Sequence, residues 1–386
     1  MSYFTAEKMK SFLTDRGLDG LLIIGDSICS PDIYYLSRFF APDRFSLLAT
    51  DAVTIFVSGL EHGRATKESR ADKVISTTDY DISEKLERFD KPEDAYTAAL
   101  VEFLRDRGMK RLGVSRSFPV GIYQDLANEF SVSIVESPVS GWRAVKTAEE
   151  IEAIRSTQRA TETAMKVAID MIARSQPMGG DLHLNGSLLT SERVRSAIDI
   201  SLLERGCEAA DTIVAGGPKA AIDPHCSGTG PLPANASIVI DIFPRSKRSR
   251  YFADMTRTVL RGEPDQDIMD VYEAVLEAQK AGIEAVRPGT TGKEVHAKVC
   301  QVFEDQGYPE REDRGFIHST GHGVGLEIHE KPNLSETGGP LVAGNVVTVE
   351  PGLYYPDLGG VRLEDLVVVR STGCENLTKL EKRLTL

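Results

Sequence analysis

The sequence predicts two architectures in one chain: an α/β domain, then a larger α+β domain whose second half repeats the element order of its first. Three observations carry this reading. Up to about residue 140, short apolar runs alternate with amphipathic helical patterns, as in a sheet covered by helices. Beyond that point the order is helix, helix, strands, then helix, helix, strands again. The chain has 386 residues, more than a single core of ~150 residues accommodates.

In the first domain, strands are expected at Gly20–Ile24, Ala52–Val57, Val74–Ile75, Arg111–Val114 and Val132–Val135, and helices at Ala6–Arg16 and Ala95–Arg107, the latter stopped by Gly108. The Ser/Gly/Pro-flavoured stretch Pro138–Thr147 reads as a domain joint, so the expected domains are 1–140 and 141–386. Thr147 and Glu150 form a capping box that opens a long helix carrying Ile151, Ile154, Ala164, Ala168 and Ile172 at helical periods. A second helix spans about Glu192–Arg205 and ends at Gly206. Strands follow at Ala236–Phe243 and Tyr251–Leu260. The second half repeats this with helices at Gln266–Val286 and from the capping box Thr291–Glu294 to Gly307. Its strands are expected near Phe316–Ile317, Asn345–Glu350 and Val361–Arg370.

Composition excludes several functions. Apolar residues make up 41% and charged residues 27%, which is globular and neither disordered nor fibrous. Lys+Arg is 45 and Asp+Glu is 58, a net charge of −13. That balance argues against a nucleic-acid partner, which needs a positive footprint, and against docking on anionic membranes. The apolar runs at Leu21–Ile24 and Ile238–Ile240 are too short to span a bilayer. The start, MSYFTAEKMKSF, lacks an apolar signal core, and the five cysteines are scattered without a CxxC pair. Both features predict a cytoplasmic protein with free thiols.

Four carboxylates hold matching places in the two halves. Asp241 ends SIVID and Asp254 lies in YFADMTRT; Glu350 ends VVTVE and Glu364 lies in GVRLED. The members of each pair are 13 or 14 residues apart, as if two strands turned their acids toward each other. Each acid follows an apolar, β-branched run, where a charge is costly unless it is paired or holds a metal. Four converging carboxylates repel, and cations are the usual way to hold them, so the pattern predicts more than one hard or borderline divalent ion.

Three of the seven histidines, His318, His322 and His329, fall within HSTGHGVGLEIH. Gly321, Gly323 and Gly325 break any helix there and permit close backbone approach to something bound. A fourth, His225, lies in the loop-like GGPKAAIDPHCSG ahead of Asp241, while His62, His183 and His296 read as surface or packing residues. Competing motifs fail. PGTTGKE lacks P-loop glycine spacing, GHGVG is not GxGxxG, and neither GxSxG nor HExxH occurs.

Taken together and in this order, IDIF…ADMTRT, HSTGHGVGLEIHE, VEPG and GVRLED resemble the metal-binding blocks of the pita-bread metallopeptidases, which include aminopeptidase P, prolidase and methionine aminopeptidase. The resemblance runs from about Ala148 to the end. The N-terminal domain is similar, less specifically, to those of aminopeptidase P, prolidase and creatinase, and methionine aminopeptidases generally lack it. By motif, the resemblance implies that Asp241 chelates one ion, Asp254 and Glu364 bridge two, and His322 and Glu350 complete the other. His225, His318, His329 and Arg362 match positions that surround the metals and contact substrate. Two residues before Glu364 on a strand, Arg362 shares its face and can neutralise the acids or hold a substrate carboxylate.

The expected fold is therefore a pita-bread C-terminal domain with an internal pseudo-two-fold repeat, preceded by the smaller creatinase-like domain. The expected activity is hydrolysis of the Xaa-Pro bond of short proline-containing peptides by a metal-bridging hydroxide. Glu350 accepts its proton, and His318 and His329 stabilise the intermediate or assist the leaving amine. The donor set suits manganese or cobalt, with zinc or iron as alternatives. The family also implies a homodimer. A creatinase-like amide hydrolase and a non-catalytic binding protein are the competing readings, and both conflict with five intact ligand positions. Two features depart from the family pattern. Phe243 stands where a small residue is usual, and the connector bearing Arg245, Lys247, Arg248 and Arg250 is longer and basic, read as a solvated turn.

Overall fold

A computed structural model describes residues 5–209, 211–218, 220, 224–309 and 314–386. The chain divides between Arg143 and Ala144 into two compact units.

The first unit is built on α1 (Ala6–Arg16), β1 (Gly20–Gly25), α2 (Pro31–Ser37), β2 (Phe45–Ala49), β3 (Val53–Val57), α3 (Gly59–Glu68), β4 (Lys73–Ser76), α4 (Ile82–Arg88), α5 (Pro92–Asp106), β5 (Arg111–Val114), α6 (Val120–Ala127) and β6 (Ser131–Ile134). The six strands form one mixed sheet in the order β4-β3-β2-β1-β5-β6. The crossovers β3–β4, β1–β5 and β5–β6 are parallel, and β1–β2–β3 is an antiparallel meander. Each strand anticipated in this unit is present. Strand β2 was not anticipated: a turn at Thr50 and Asp51 folds one apolar stretch into two fully buried strands. The short helices α2, α3, α4 and α6 were not anticipated either, since each is too brief to show an apolar period. Phe56 stacks on Phe103 of α5 at 4.6 Å in the core of this unit.

The joint segment is not an open linker but contains a short helix, α7 (Val139–Ala144). The second unit opens with α8 (Ala148–Ala173), whose expected capping box is present: Glu150 N donates to Thr147 Oγ1 at 3.3 Å and Thr147 N to Glu150 Oε2 at 2.8 Å. It continues through the ribbon β7 (Gln176–Met178), β8 (Asp181–Leu184) and β9 (Ser187–Leu188), then α9 (Ser191–Glu204), β10 (Cys207–Glu208), β11 (Ile213–Gly216), β12 (Ser237–Ile242), β13 (Arg245–Ser246) and β14 (Met255–Leu260). The second half comprises α10 (Gln266–Ala285), α11 (Gly292–Asp305), β15 (Gly321–Gly323), β16 (Glu330–Leu334), β17 (Val346–Val349), β18 (Gly352–Tyr355), β19 (Gly359–Arg362), β20 (Asp365–Val369) and β21 (Cys374–Asn376).

The duplication is visible in the packing. Helix α8 lies against α9 beside the antiparallel sheet β11-β12-β14, and α10 lies against α11 beside β16-β15-β17-β20-β21. The first half shares one apolar core running from Ala160 of α8 through Ile198 of α9 to Ile240 and Val259. Three local expectations are corrected. Phe316–Ile317 is not a strand; only Gly315 bridges to Tyr354 there. Val361–Arg370 is not one strand but breaks at Leu363 and Glu364, where the chain leaves the β18–β19 hairpin for the larger sheet. The basic connector is a solvated turn only at Lys247 and Arg248, which are exposed. Strand β13 pairs with β10, Arg245 NH2 meets Glu208 Oε1 at 2.8 Å, and Arg250 is 7% exposed, because an acid on the paired strand supplies the counter-charge. No helix among the described residues is long and apolar enough to cross a membrane.

Candidate metal centre

The two antiparallel ladders set the acids. In the first, Asp241 of β12 lies opposite Thr256 of β14, and Asp254 sits just before β14. In the second, Val349 pairs with Asp365, so Glu350 and Glu364 extend the same end of the β17–β20 ladder. The 14-residue spacing in this half thus spans a whole inserted hairpin rather than a simple turn. Asp241, Asp254 and Glu364 are 8%, 4% and 1% exposed, a depth at which carboxylates need partners.

Hydrogen bonds from the protein satisfy only half of Glu364 and of Asp241. Thr256 Oγ1 donates to Glu364 Oε2 at 2.9 Å, and Arg362 NH2 donates to Asp241 Oδ2 at 2.7 Å. Asp241 Oδ1, Asp254 Oδ1 and Glu364 Oε1 are buried with no hydrogen-bond partner. His322 supplies a nitrogen to the same place: its Nε2 lies 3.2 Å from Glu350 Oε1 and 3.7 Å from Asp254 Oδ2. Its Nδ1 faces the Gly323 carbonyl at 3.2 Å, so a cation bound at Nε2 would find the ring proton held on Nδ1. Without a cation, burial lowers the pKa of the ring, but the bond and charge of Glu350 outweigh that and raise it. One ligand atom each from Asp254, His322 and Glu364 lies within 4.8 Å of the others. Buried acid oxygens without donors, gathered around an imidazole nitrogen, fit divalent cations, which replace the missing donors with charge.

The electrostatics agree. Burial, then repulsion from Glu350 and Asp241, holds Glu364 well above the ordinary carboxylate range, and burial with repulsion from Glu364 does the same to Asp254. Burial also raises Asp241, though Arg362 opposes it. Glu350 goes the other way. Burial pushes it up, but the bond and charge of His322 outweigh that and hold it at about 2.

All ten residues singled out in the sequence for this site or its wall line one cavity of about 310 Å³: Asp241, Asp254, His322, Glu350, Glu364, His225, His318, His329, Arg362 and Phe243. His225 is exposed at the rim, and part of the loop leading to it, including Lys219 and Asp223, lies outside the described residues. His318 Nδ1 contacts the Ser319 carbonyl at 2.8 Å and Nε2 the Tyr354 hydroxyl at 3.1 Å, while burial lowers its pKa to about 4. The His329 ring meets His322 edge-on at 4.2 Å, and burial followed by the neighbouring His322 charge lowers its pKa. His296 is a packing residue as expected, joined to Thr320 Oγ1 at 2.9 Å.

Arg362 reaches the acids by a route other than the one expected. It ends β19 and does not share a strand with Glu364; instead both meet at Thr256, which Arg362 Nε contacts at 3.2 Å. Its NH1 donates to the Tyr354 hydroxyl at 2.8 Å and the Pro224 carbonyl at 3.2 Å. Sequence reasoning missed Tyr354, Thr256 and Thr348. Thr348 Oγ1 takes the His322 backbone N–H at 3.0 Å and donates to Glu350 Oε1 at 3.1 Å. The available signal was spacing: Thr256 and Thr348 each lie two residues from an acid, hence on its strand face.

The profile of metallopeptidase family M24 matches residues 152–371, the stretch that carries every ligand candidate above. The chain belongs to metallopeptidase family M24. Two curated members of similar length are alike throughout. The Xaa-Pro dipeptidase of Pyrococcus horikoshii is 30% identical over 98% of this chain and 97% of its own, and that of Pyrococcus furiosus is 29% identical over 98% of both. The crystal structure of the Pyrococcus horikoshii prolidase superposes with a TM-score of 0.81 at 28% identity, covering 98% of this chain and 99% of that one. The second unit of this M24 chain thus has the pita-bread fold, with the smaller α/β unit before it.

Proposed function

We propose that this M24 chain is a metal-dependent Xaa-Pro peptidase acting on short proline-containing peptides. The observation that carries the reading is the set of three buried carboxylate oxygens without donors beside His322 Nε2. Asp254, His322 and Glu364, with Asp241 and Glu350 beside them in the cavity, would hold two divalent ions. An all-carboxylate and imidazole donor set without thiolate favours manganese or cobalt, with zinc or iron as alternatives. Bound there, divalent ions polarise a carbonyl and lower the pKa of water.

The chain's own residues supply the remainder. Glu350, kept ionised by His322, is the proton acceptor. His318, uncharged at neutral pH, gives its Nδ1 proton to the Ser319 carbonyl and accepts the Tyr354 hydroxyl at Nε2, so its role is to hold Tyr354 at the cavity wall. His329, more open on the cavity wall, delivers a proton to the departing nitrogen. His225 stands at the rim as a substrate contact. Arg362 spends its donors on Asp241, Thr256, Tyr354 and Pro224, so its role is counter-charge to the acids rather than a clamp on substrate.

The bond before proline is a tertiary amide with no N–H, so its site needs no acceptor for that proton and does need an apolar surface for the ring. Phe243, Ile328 and Pro224 offer such a surface. That both Pyrococcus relatives are Xaa-Pro dipeptidases supports dipeptides over longer chains. The deciding assay compares Ala-Pro, Ala-Ala and Ala-Pro-Ala, first on chelator-treated protein and then after manganese is restored. Manganese-dependent cleavage of Ala-Pro far above Ala-Ala is expected; equal rates on the two dipeptides remove the proline assignment. The same reading includes a homodimer in the cytoplasm, the compartment being supported by five cysteines outside any disulfide, and sedimentation should give twice the 42.2 kDa chain mass.

A further inference from the structure

Directly after His329 the chain buries a charge. The Glu330 side chain is 4% exposed and its Oε1 accepts from Lys146 Nζ, itself 1% exposed, at 2.6 Å. The second carboxylate oxygen accepts from the backbone N–H of Glu327 at 3.4 Å, which closes the turn leading into His329. Gly325 makes room for this. A Cβ at that position would lie 2.2 Å from Glu330 Oε1, so a larger residue would have to push the carboxylate out of its place. The lysine is fixed in turn: its N–H donates to the Gly344 carbonyl at 2.9 Å, and the next residue, Thr147, caps α8.

A buried ion pair adds little net stability, because desolvating both charges offsets most of their attraction. What it does provide is a single defined position, since neither charge tolerates an alternative place in an apolar interior. Glu330 opens β16, opposite Gly323 of the strand that carries His322. The two histidines flank this pairing with rings 4.2 Å apart. The backbone that Lys146 anchors through Glu330 is therefore the backbone that carries His329.

We infer that Lys146 is a positioning residue for the reaction: through its buried bond to Glu330 it sets where the His329 ring stands in the cavity. This rests on the proposed role of His329. Small misplacements of a reacting group are costly, so Lys146→Met should lower kcat about 10-fold or more. KM should stay within about twofold and metal content should not change, because neither charge touches the ligand set. Lys146→Arg, which keeps a cation, should recover part of the loss.

The decisive comparison is a double-mutant cycle with His329→Ala. If Lys146 acts through His329, adding Lys146→Met to His329→Ala costs no further rate. Because Lys146→Met removes a buried counter-charge of Glu330 and so destabilises the protein, Lys146→Met/Glu330→Leu is measured beside it. Removing both charges should restore the thermal midpoint while kcat stays low. Unchanged kcat in Lys146→Met overturns the inference. So does a loss that adds in full to that of His329→Ala, or recovery of kcat together with stability in the Met/Leu variant. Full activity in His329→Ala alone overturns the role of His329, and the inference falls with it.

Discussion

The acid cluster makes the metal-free protein less stable than its shape allows, and Glu364→Gln tests this directly. Glutamine keeps the size of the side chain and an oxygen for the Thr256 hydroxyl, but removes one of the crowded charges. Ligand atoms of Asp254, His322 and Glu364 lie within 4.8 Å of one another. Two like charges at ~4.8 Å repel by about 3 kcal/mol at an effective dielectric constant of about 20. The carboxyls escape part of this by taking up protons, since burial and mutual repulsion raise both Asp254 and Glu364. A gain of ~1–3 kcal/mol for metal-free Glu364→Gln is therefore expected, or several degrees at ~2–4 °C per kcal/mol for a unit of this size. With manganese present the order should invert. The wild type gains ~2.7 kcal/mol at a metal concentration 100 times its Kd, and the variant, short of a charged ligand, gains far less. The assay is thermal melting of both proteins after chelation and again with manganese. Metal-free Glu364→Gln melting at or below the metal-free wild type would refute the reasoning, because the acids would then not be held together against repulsion.

Four further outcomes are expected. His329→Ala should lower turnover on the order of 10²-fold, the usual scale of general acid–base work, with metal content near normal; lost metal would make His329 a ligand. Asp254→Ala should disrupt both metal positions, checked by elemental analysis after reconstitution, and full metal content would remove it from the bridge. Arg362→Lys should weaken metal binding more than it raises KM, since a point charge cannot serve Asp241, Thr256 and Tyr354 together; a change confined to KM would return Arg362 to the substrate. Glu375 is held down to about 2, from an ordinary 4.5, by hydrogen bonds from Arg155 and then Arg370. A carboxylate lowered on folding stabilises the protein above its ordinary value and loses that contribution as pH falls toward 2. Glu375→Gln should therefore flatten the acid limb of a stability curve by less than about 1 kcal/mol, the pair being solvent-reachable, and an unchanged limb would remove the assignment.

Much of the second unit was legible because its signals are local. The capping boxes at Thr147 and Thr291 and the apolar strands at Ser237–Ile242 and Val346–Val349 depend on near neighbours in the chain. The acids stood out because a charge closing a β-branched run conflicts with its surroundings. What escaped notice depends on long-range contact. Tyr354 looks like an ordinary strand aromatic until His318 and Arg362 converge on its hydroxyl. Lys146 looks like a linker lysine until Glu330, far along the chain, arrives to pair with it. The break at Glu364 was hidden because GVRLEDLVVV has the composition of one strand and divides only where two sheets claim its ends.

Between the acids of each pair the chain makes an excursion. In one half it leaves β12 for the β13 ribbon, braced by Arg245 and Glu208, and returns with Phe252 bonded to Gly325. In the other it leaves β17 for the β18–β19 hairpin and returns with Tyr354 and Arg362. The excursions differ in partners and chemistry, yet both begin and end at the paired ends of the two ladders. Chemistry and selectivity are thereby mounted separately, like a fixed chuck and exchangeable jaws. Lengthening a loop costs only a slowly growing closure entropy, whereas shifting an acid by one residue turns it to the opposite face of its strand. An engineer seeking a new peptide specificity should recut the ribbon and the turn of the hairpin, and leave Tyr354, Arg362 and the four roots alone.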